Sequence, residues 1–137
     1  MNATKIPFIE KVGVIRNSAG ALELPFNKSI HNHLKTVHAS AQFTLAETAS
    51  GDALQTQFPE LVGKVIPVLR DSSIKFKKPA QKSITAHASI TDEAIDKFRT
   101  QLAKKGRALI SVSVAVKDSE EVVTCVGTFS WFVQSIA

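Results

Sequence analysis

The stretch from His31 to Asp52, HNHLKTVHASAQFTLAETASGD, constrains this chain more than any other, because its second half leaves the fold little choice. From about Ala39 to Leu54 there is no proline, good helix formers abound, and apolar side chains recur at Phe43, Ala46, Ala49 and Ala53, so the spacing predicts one helix. Leu45 and Leu54 lie off that stripe, which makes the helix apolar almost all round. Small residues at Ala39, Ala41, Ala46, Ala49, Ser50, Gly51 and Ala53 let neighbours approach closely on several sides. A helix of this kind is buried inside a wrapper. Glu47 sits in its middle, and a carboxylate in apolar surroundings is costly unless it is paired, hydrogen-bonded or used.

The flanking segments supply the wrapper. Lys5 to Lys11 reads as a short helical or irregular lead-in. Gly13 to Asn17 and Leu22 to Phe26 flank an Asn-Ser-Ala-Gly turn and predict a β-hairpin, with Pro25 ending its second arm or holding it at an edge. Asn27 to Val37 is a polar loop that delivers His31, Asn32 and His33 to the helix start, where Thr36 or Ser40 is the expected cap. Beyond Pro59 and Gly63, Val65 to Lys77 reads as a long strand, and Ser83 to Ile90 alternates apolar and polar residues as a half-buried strand does. Thr91 to Gly106 predicts a surface helix with apolar Ile95, Phe98 and Leu102 and with an acidic start and basic end that suit its dipole. Leu109 to Lys117 and Val122 to Val133 form the clearest hairpin. Strands that follow one another without helical crossovers imply an antiparallel sheet, here curled around one apolar helix in an α+β domain over residues 1–137.

Size and charge narrow the function classes. A chain of 137 residues holds one core, not two. The net charge of +5 favours polyanions, yet the eight Phe and one Trp do not interleave with the lysines as a base-stacking platform requires, so nucleic acid is not an expected partner. No apolar run reaches the roughly 18 residues of a membrane span, and no secretory signal is read at the N-terminus. The expectation is a cytoplasmic protein without a membrane partner. Cys125 has no second cysteine to pair with and, in a predicted strand, reads as a buried inert thiol.

From His31 to Gly51 the sequence resembles the hotdog-fold thioesterases, in particular the branch of the phenylacetic-acid-pathway and 4-hydroxybenzoyl-CoA enzymes. In that branch a loop Asn precedes a His-Gly-Gly helix start, and an Asp or Glu follows along the helix. Asn32, His38 and Glu47 fall at the matching intervals of six and nine residues. The similarity runs more loosely through FKKPAQKSITAHASI and KKGRALISVSVAVKDSEEVVTCVGTFSWFV. It implies a hotdog fold, a long central helix wrapped by a curved antiparallel β-sheet of five to six strands. The chain departs from the pattern at His38-Ala39-Ser40, where the family has His-Gly-Gly, and at Lys35-Thr36, where many members have Gly-Thr. Loss of glycine narrows the room for a substrate against the backbone but leaves the amide hydrogens in place.

The resemblance implies hydrolysis of an acyl-CoA, with coenzyme A as part of the substrate and no separate cofactor. Thioester hydrolysis needs an attacking group and donors aimed at the developing oxyanion, roles that fall to Glu47, as base or nucleophile, and to the backbone N–H of Ala39, with Ser40. Asn32 either orients the reacting groups or bonds its own loop, and His38 caps or packs at the helix entrance. Ala39 and Glu47 lie about 12 Å apart on one helix, which in hotdog thioesterases is resolved by a homodimer, alone or paired into a homotetramer. Thr48 and Gly51 follow Glu47 and are expected along the acyl region. Lys75, Lys77 and Lys78 are expected either to meet the coenzyme A phosphates or to form a solvated edge that deters strand pairing. His31 and His33 have no third ligand nearby, so no metal is expected. Two rivals remain: a non-catalytic acyl-CoA-binding module, and a 3-hydroxyacyl thioester dehydratase using His33 and Glu47, whose Pro- and Gly-rich linking segment this chain lacks. The acyl group depends on which of Phe43, Phe58, Phe76, Phe129 and Trp131 face it.

Overall fold

The long central helix is α2, Ala39–Gln57, three residues longer than the sequence pattern indicates. The computed structural model describes residues 1–136. Before α2 come a short helix α1 (Pro7–Val12) and the hairpin β1 (Ile15–Arg16) and β2 (Leu22–Leu24); after it come β3 (Val65–Phe76), β4 (Ile84–Ser89), helix α3 (Asp92–Lys105), β5 (Arg107–Asp118) and β6 (Val123–Ser135). The strands form one sheet in the order β1-β2-β4-β5-β6-β3, with every neighbouring pair antiparallel. This is the hotdog architecture expected from the sequence.

The wrapper closes because β5 alternates between an inward and an outward face. Ala108, Ile110, Val112, Val114 and Val116 of β5 point inward and are buried, while Leu109, Ser111 and Ser113 point outward. Opposite them α2 buries Ala41, Leu45, Ala46, Ala49 and Leu54. Its buried hydroxyls cost little because the helix itself satisfies them: Thr44 Oγ1 donates to the Ser40 carbonyl at 2.9 Å and Thr48 Oγ1 to the Thr44 carbonyl at 2.6 Å. Phe43 meets Phe129 edge-on at 5.6 Å between ring centroids, in the core. Helix α3 is capped by the Thr91 side chain, which accepts from the Ala94 N–H, and is anchored by buried Phe98.

Two features of the sheet bear on function. Cys125 is buried in β6 and burial pushes its thiol up to about 11, an inert residue as expected. β3 is a twelve-residue strand at the sheet edge that pairs only with β6 among the described residues. Ile66 and Val68 on it are more than half exposed, an arrangement an isolated chain ordinarily avoids at an edge. Among the described residues no helix is long and apolar enough to cross a membrane.

Candidate active site

Glu47 lines a cavity of about 480 Å³ together with Thr48 and Gly51 from α2. Its other walls come from Val65 and Pro67 of β3, Trp131 and Val133 of β6, Phe98 of α3, and the N-terminal residues Met1, Ala3, Ile6 and Ile9. The carboxyl is held above the usual carboxylate range by burial alone, with no neighbouring charge or hydrogen bond acting on it. The costly carboxylate inferred from the sequence is therefore present, half-buried and unpaired among the described residues.

That cost has a measurable sign. A carboxyl whose folded-state pKa is raised binds its proton more tightly in the native than in the unfolded chain, so stability falls as pH rises from the ordinary glutamate range through the raised value. Glu47→Gln is accordingly expected to raise the thermal midpoint at neutral pH, with the gain vanishing once the pH drops below the ordinary range of about 4. Thermal melts of both proteins across that pH series check it.

Trp131 forms the wall nearest Glu47. Its Nε1–H donates to Ser50 Oγ at 2.9 Å, and Ser50 Oγ in turn donates to the Glu47 carbonyl at 2.7 Å. The indole lies flat on Gly51, where an added Cβ would stand 3.2 Å from two of its ring carbons. A glycine inside a helix weakens it by roughly 0.5–1 kcal/mol, and here it admits the ring that shapes the cavity.

The start of α2 corrects the expected cap. Neither Thr36 nor Ser40 caps the helix; His38 does, its Nδ1 accepting from the Ser40 N–H at 2.9 Å. The imidazole Nδ1 accepts from the second helical amide, the role a Ser or Asp side-chain oxygen fills at an N-cap. The Ser40 amide is thereby occupied and drops out as an oxyanion donor. The amides of Ala41 and Gln42 donate to the His38 carbonyl at 2.9 and 3.0 Å. The Ala39 N–H, first in the helix, has no acceptor among the described residues and points from the positive end of the dipole.

Asn32 takes the second of its two expected roles, bonding its own loop. Its Oδ1 accepts from the Leu34 and Thr36 amides at 2.9 and 3.0 Å, and its Nδ2 donates to Thr36 Oγ1 at 2.8 Å. Both ends of the amide bond its own loop, as Asx turns do, and one Nδ2 hydrogen alone is left over. The same loop holds Lys35 at φ 62, the left-handed region, at the position where many hotdog thioesterases carry glycine. Lys35→Gly is expected to stabilise the protein by up to about 1 kcal/mol, read as a higher denaturant midpoint at unchanged slope.

The remaining expected residues separate cleanly. Thr48 and Gly51 line the cavity with Glu47. Lys75, Lys77 and Lys78 do not: they are exposed at the far end of β3, and Lys75 borders a polar groove with His87 and Ser113 on the outer sheet face. Lys75 lies six residues from Leu69, the strand position paired with Trp131, about 20 Å along the strand, so within one chain the three lysines stand away from the cavity. His33 is exposed in its loop and does not line the cavity. The His31 ring packs on Phe26 at 4.6 Å between centroids, and among the described residues no three metal-ligating side chains cluster. Of the five aromatics in question, Phe58 and Trp131 face the cavity, whereas Phe43 and Phe129 pack on each other and Phe76 is exposed. The N-terminal wall escaped the sequence reading; the i, i+3 spacing of Ile6 and Ile9 was the one available signal.

Residues 4–133 match the model of the family described as "Domain of unknown function (DUF4442)". None of the curated proteins compared matches the chain. Among solved structures, the chain is similar to a Pseudomonas aeruginosa protein of unknown function described as "Probable Thioesterase", with 23% identity, a TM-score of 0.79, and coverage of 97% of this chain and 91% of that one. It is similar to a Bacillus halodurans protein solved with CoA, at 27% identity and TM-score 0.68, over 89% of this chain and 72% of that one. A Haemophilus influenzae protein described as a thioesterase aligns at 16% identity and TM-score 0.76, over 97% of this chain and 86% of that one.

Proposed function

Since the chain belongs to the DUF4442 family and carries a hotdog fold, we propose that it hydrolyses acyl thioesters of coenzyme A to the free acid and thiol. The observation that carries this reading is an unpaired carboxyl, Glu47, half-buried in the wall of an apolar cavity. A group so placed is poised for general-base or nucleophilic work. The Bacillus halodurans relative solved with CoA supports the coenzyme A portion of the substrate.

The second component is the Ala39 N–H, which polarises the thioester carbonyl and stabilises the oxyanion. One helix holds it about 12 Å from Glu47, so a working site takes Ala39 from one copy and Glu47 from the other. The unpaired β3 edge with exposed Ile66 and Val68 supports such a homodimer. Antiparallel pairing of two β3 strands across a twofold axis carries the Lys75 end of one strand to the Val65 end of the other. In the reaction Glu47 either takes a proton from water, whose oxygen adds to the acyl carbon, and returns that proton to the sulfur as the C–S bond breaks, or attacks the acyl carbon itself, expelling the thiolate, which takes a proton from water, and forming a mixed anhydride that a water then cleaves to free acid and carboxylate.

A second reading draws on the corrections above. With Ser40 and Asn32 committed elsewhere, a single oxyanion donor remains, which favours a module that binds acyl-CoA without turning it over. Free-thiol release measured across short, medium, long and aryl acyl-CoAs decides between them: turnover is the expected result, and tight binding without any turnover selects the binding module.

A further inference from the structure

Resting on the acyl-thioester reading, the geometry points to a more specific ligand: an unbranched, unfunctionalised acyl chain of about ten to twelve carbons, laid along α2 from Glu47 to the Phe58–Phe98 pair, at about 1.3 Å advance per carbon.

The direction of the cavity follows from the register of its walls. On α2 the lining residues run from Glu47 through Gly51 and Leu54 to Phe58, eleven residues or about 16 Å. On β6 they run the same way, since Trp131 stands against Leu69, and Val133, farther on, stands against Pro67. Trp131 touches Gly51, one turn past Glu47, so the carboxyl end of the cavity is the Trp131 end. Toward the other end stand Phe58 and Phe98, whose ring centroids are 4.7 Å apart, with Leu61, Val62 and Gly63 continuing the lining beyond Phe58. A channel with a reactive carboxyl at its head and an aromatic pair about 16 Å farther along favours a chain of that length.

Its chemistry selects against polar or short acyl groups. Three of the polar residues along it are Thr48, Asp52 and Gln55. The Thr48 hydroxyl already donates to the Thr44 carbonyl, and the Asp52 carboxylate is held by Arg16 at 2.8 Å. Gln55 alone of these keeps a side chain free to recognise a substituent. Away from Gln55 a hydroxylated chain would therefore lose water without gaining partners, and a single aryl ring would fill only the part beside Trp131.

The test measures acyl-CoAs from butanoyl to hexadecanoyl, with benzoyl- and phenylacetyl-CoA, in two ways: kcat/KM on the wild-type protein, and Kd on Glu47→Gln, which keeps the ligand intact. Each added methylene is expected to tighten binding by about threefold to fourfold, with the gain ending near ten to twelve carbons. Leu61→Trp, in the lining beyond Phe58, is expected to lower kcat/KM for dodecanoyl-CoA more than for butanoyl-CoA and to move the break in Kd to shorter chains. Turnover with a flat profile, or with an aryl optimum, overturns the chain-length inference and leaves thioester hydrolysis standing. No turnover with a Kd that still breaks near ten to twelve carbons upholds the inference and overturns hydrolysis. A Kd indifferent to chain length overturns the inference whatever the turnover.

Discussion

Glu47→Gln is expected to lower kcat/KM for acyl-CoA hydrolysis by about a hundredfold to ten-thousandfold, with Kd for the substrate nearly unchanged. The amide matches the carboxylate in size, so the cavity keeps its shape, and the loss falls on the chemical step. Free-thiol release with the best acyl-CoA checks it, and retention of more than a tenth of the wild-type rate would remove Glu47 from the reaction. The wild-type pH profile carries the same assignment. Whether it attacks carbon or activates water, Glu47 works as the carboxylate, and burial raises its pKa. Activity is thus expected to fall on acidification through a value above the ordinary glutamate range, and that limb is expected to be absent from the residual activity of Glu47→Gln.

Ala39→Pro is the second large effect. Proline removes the one N–H that the start of α2 leaves without an acceptor, and it does so at the first helical position, where its ring is tolerated. The preceding residue, His38, already holds φ −60 and ψ 139, the extended conformation that proline demands of its neighbour. The helix should therefore persist while the oxyanion loses its donor, and kcat is expected to fall by about a hundredfold to a thousandfold, with Ala39→Gly retaining activity because it retains the amide. The two variants also test the shared site. Refolding Ala39→Pro with Glu47→Gln in equal amounts makes half the dimers mixed, each with one site that has both groups, so about a quarter of wild-type activity should return. A site built within one chain would recover nothing.

Much of this was legible in the residues. The proline-free run from Ala39 with small and apolar side chains on every face could only be a helix lying inside something, and the valine-rich alternation of β5 and β6 could only be the sheet that encloses it. Glu47 stood out because its neighbours offer it no charge, and burial without a partner is what the structure holds. The readings that residue type and spacing left open share a cause. Asn32, Ser40 and the cap of α2 were assigned by residue type and spacing, but a short polar side chain bonds the nearest free backbone group, and which group is nearest is settled by the loop's path. Lysines 75, 77 and 78 were grouped with the site on chemistry alone, whereas strand length separates them from it in the single chain.

What the chain determined by itself is local and periodic: where helix and strands begin, which faces turn inward, and that one carboxyl is buried at a cost. Tertiary structure decided which walls meet. Trp131 reaches Gly51 across 80 residues of sequence, Phe98 meets Phe58, and the N-terminal segment closes the side of a channel whose length nothing in the local pattern encodes. The reason is physical. Periodicity reports the environment of each element separately, while a cavity is the space left over when several elements pack, and its shape exists only once all of them are in place.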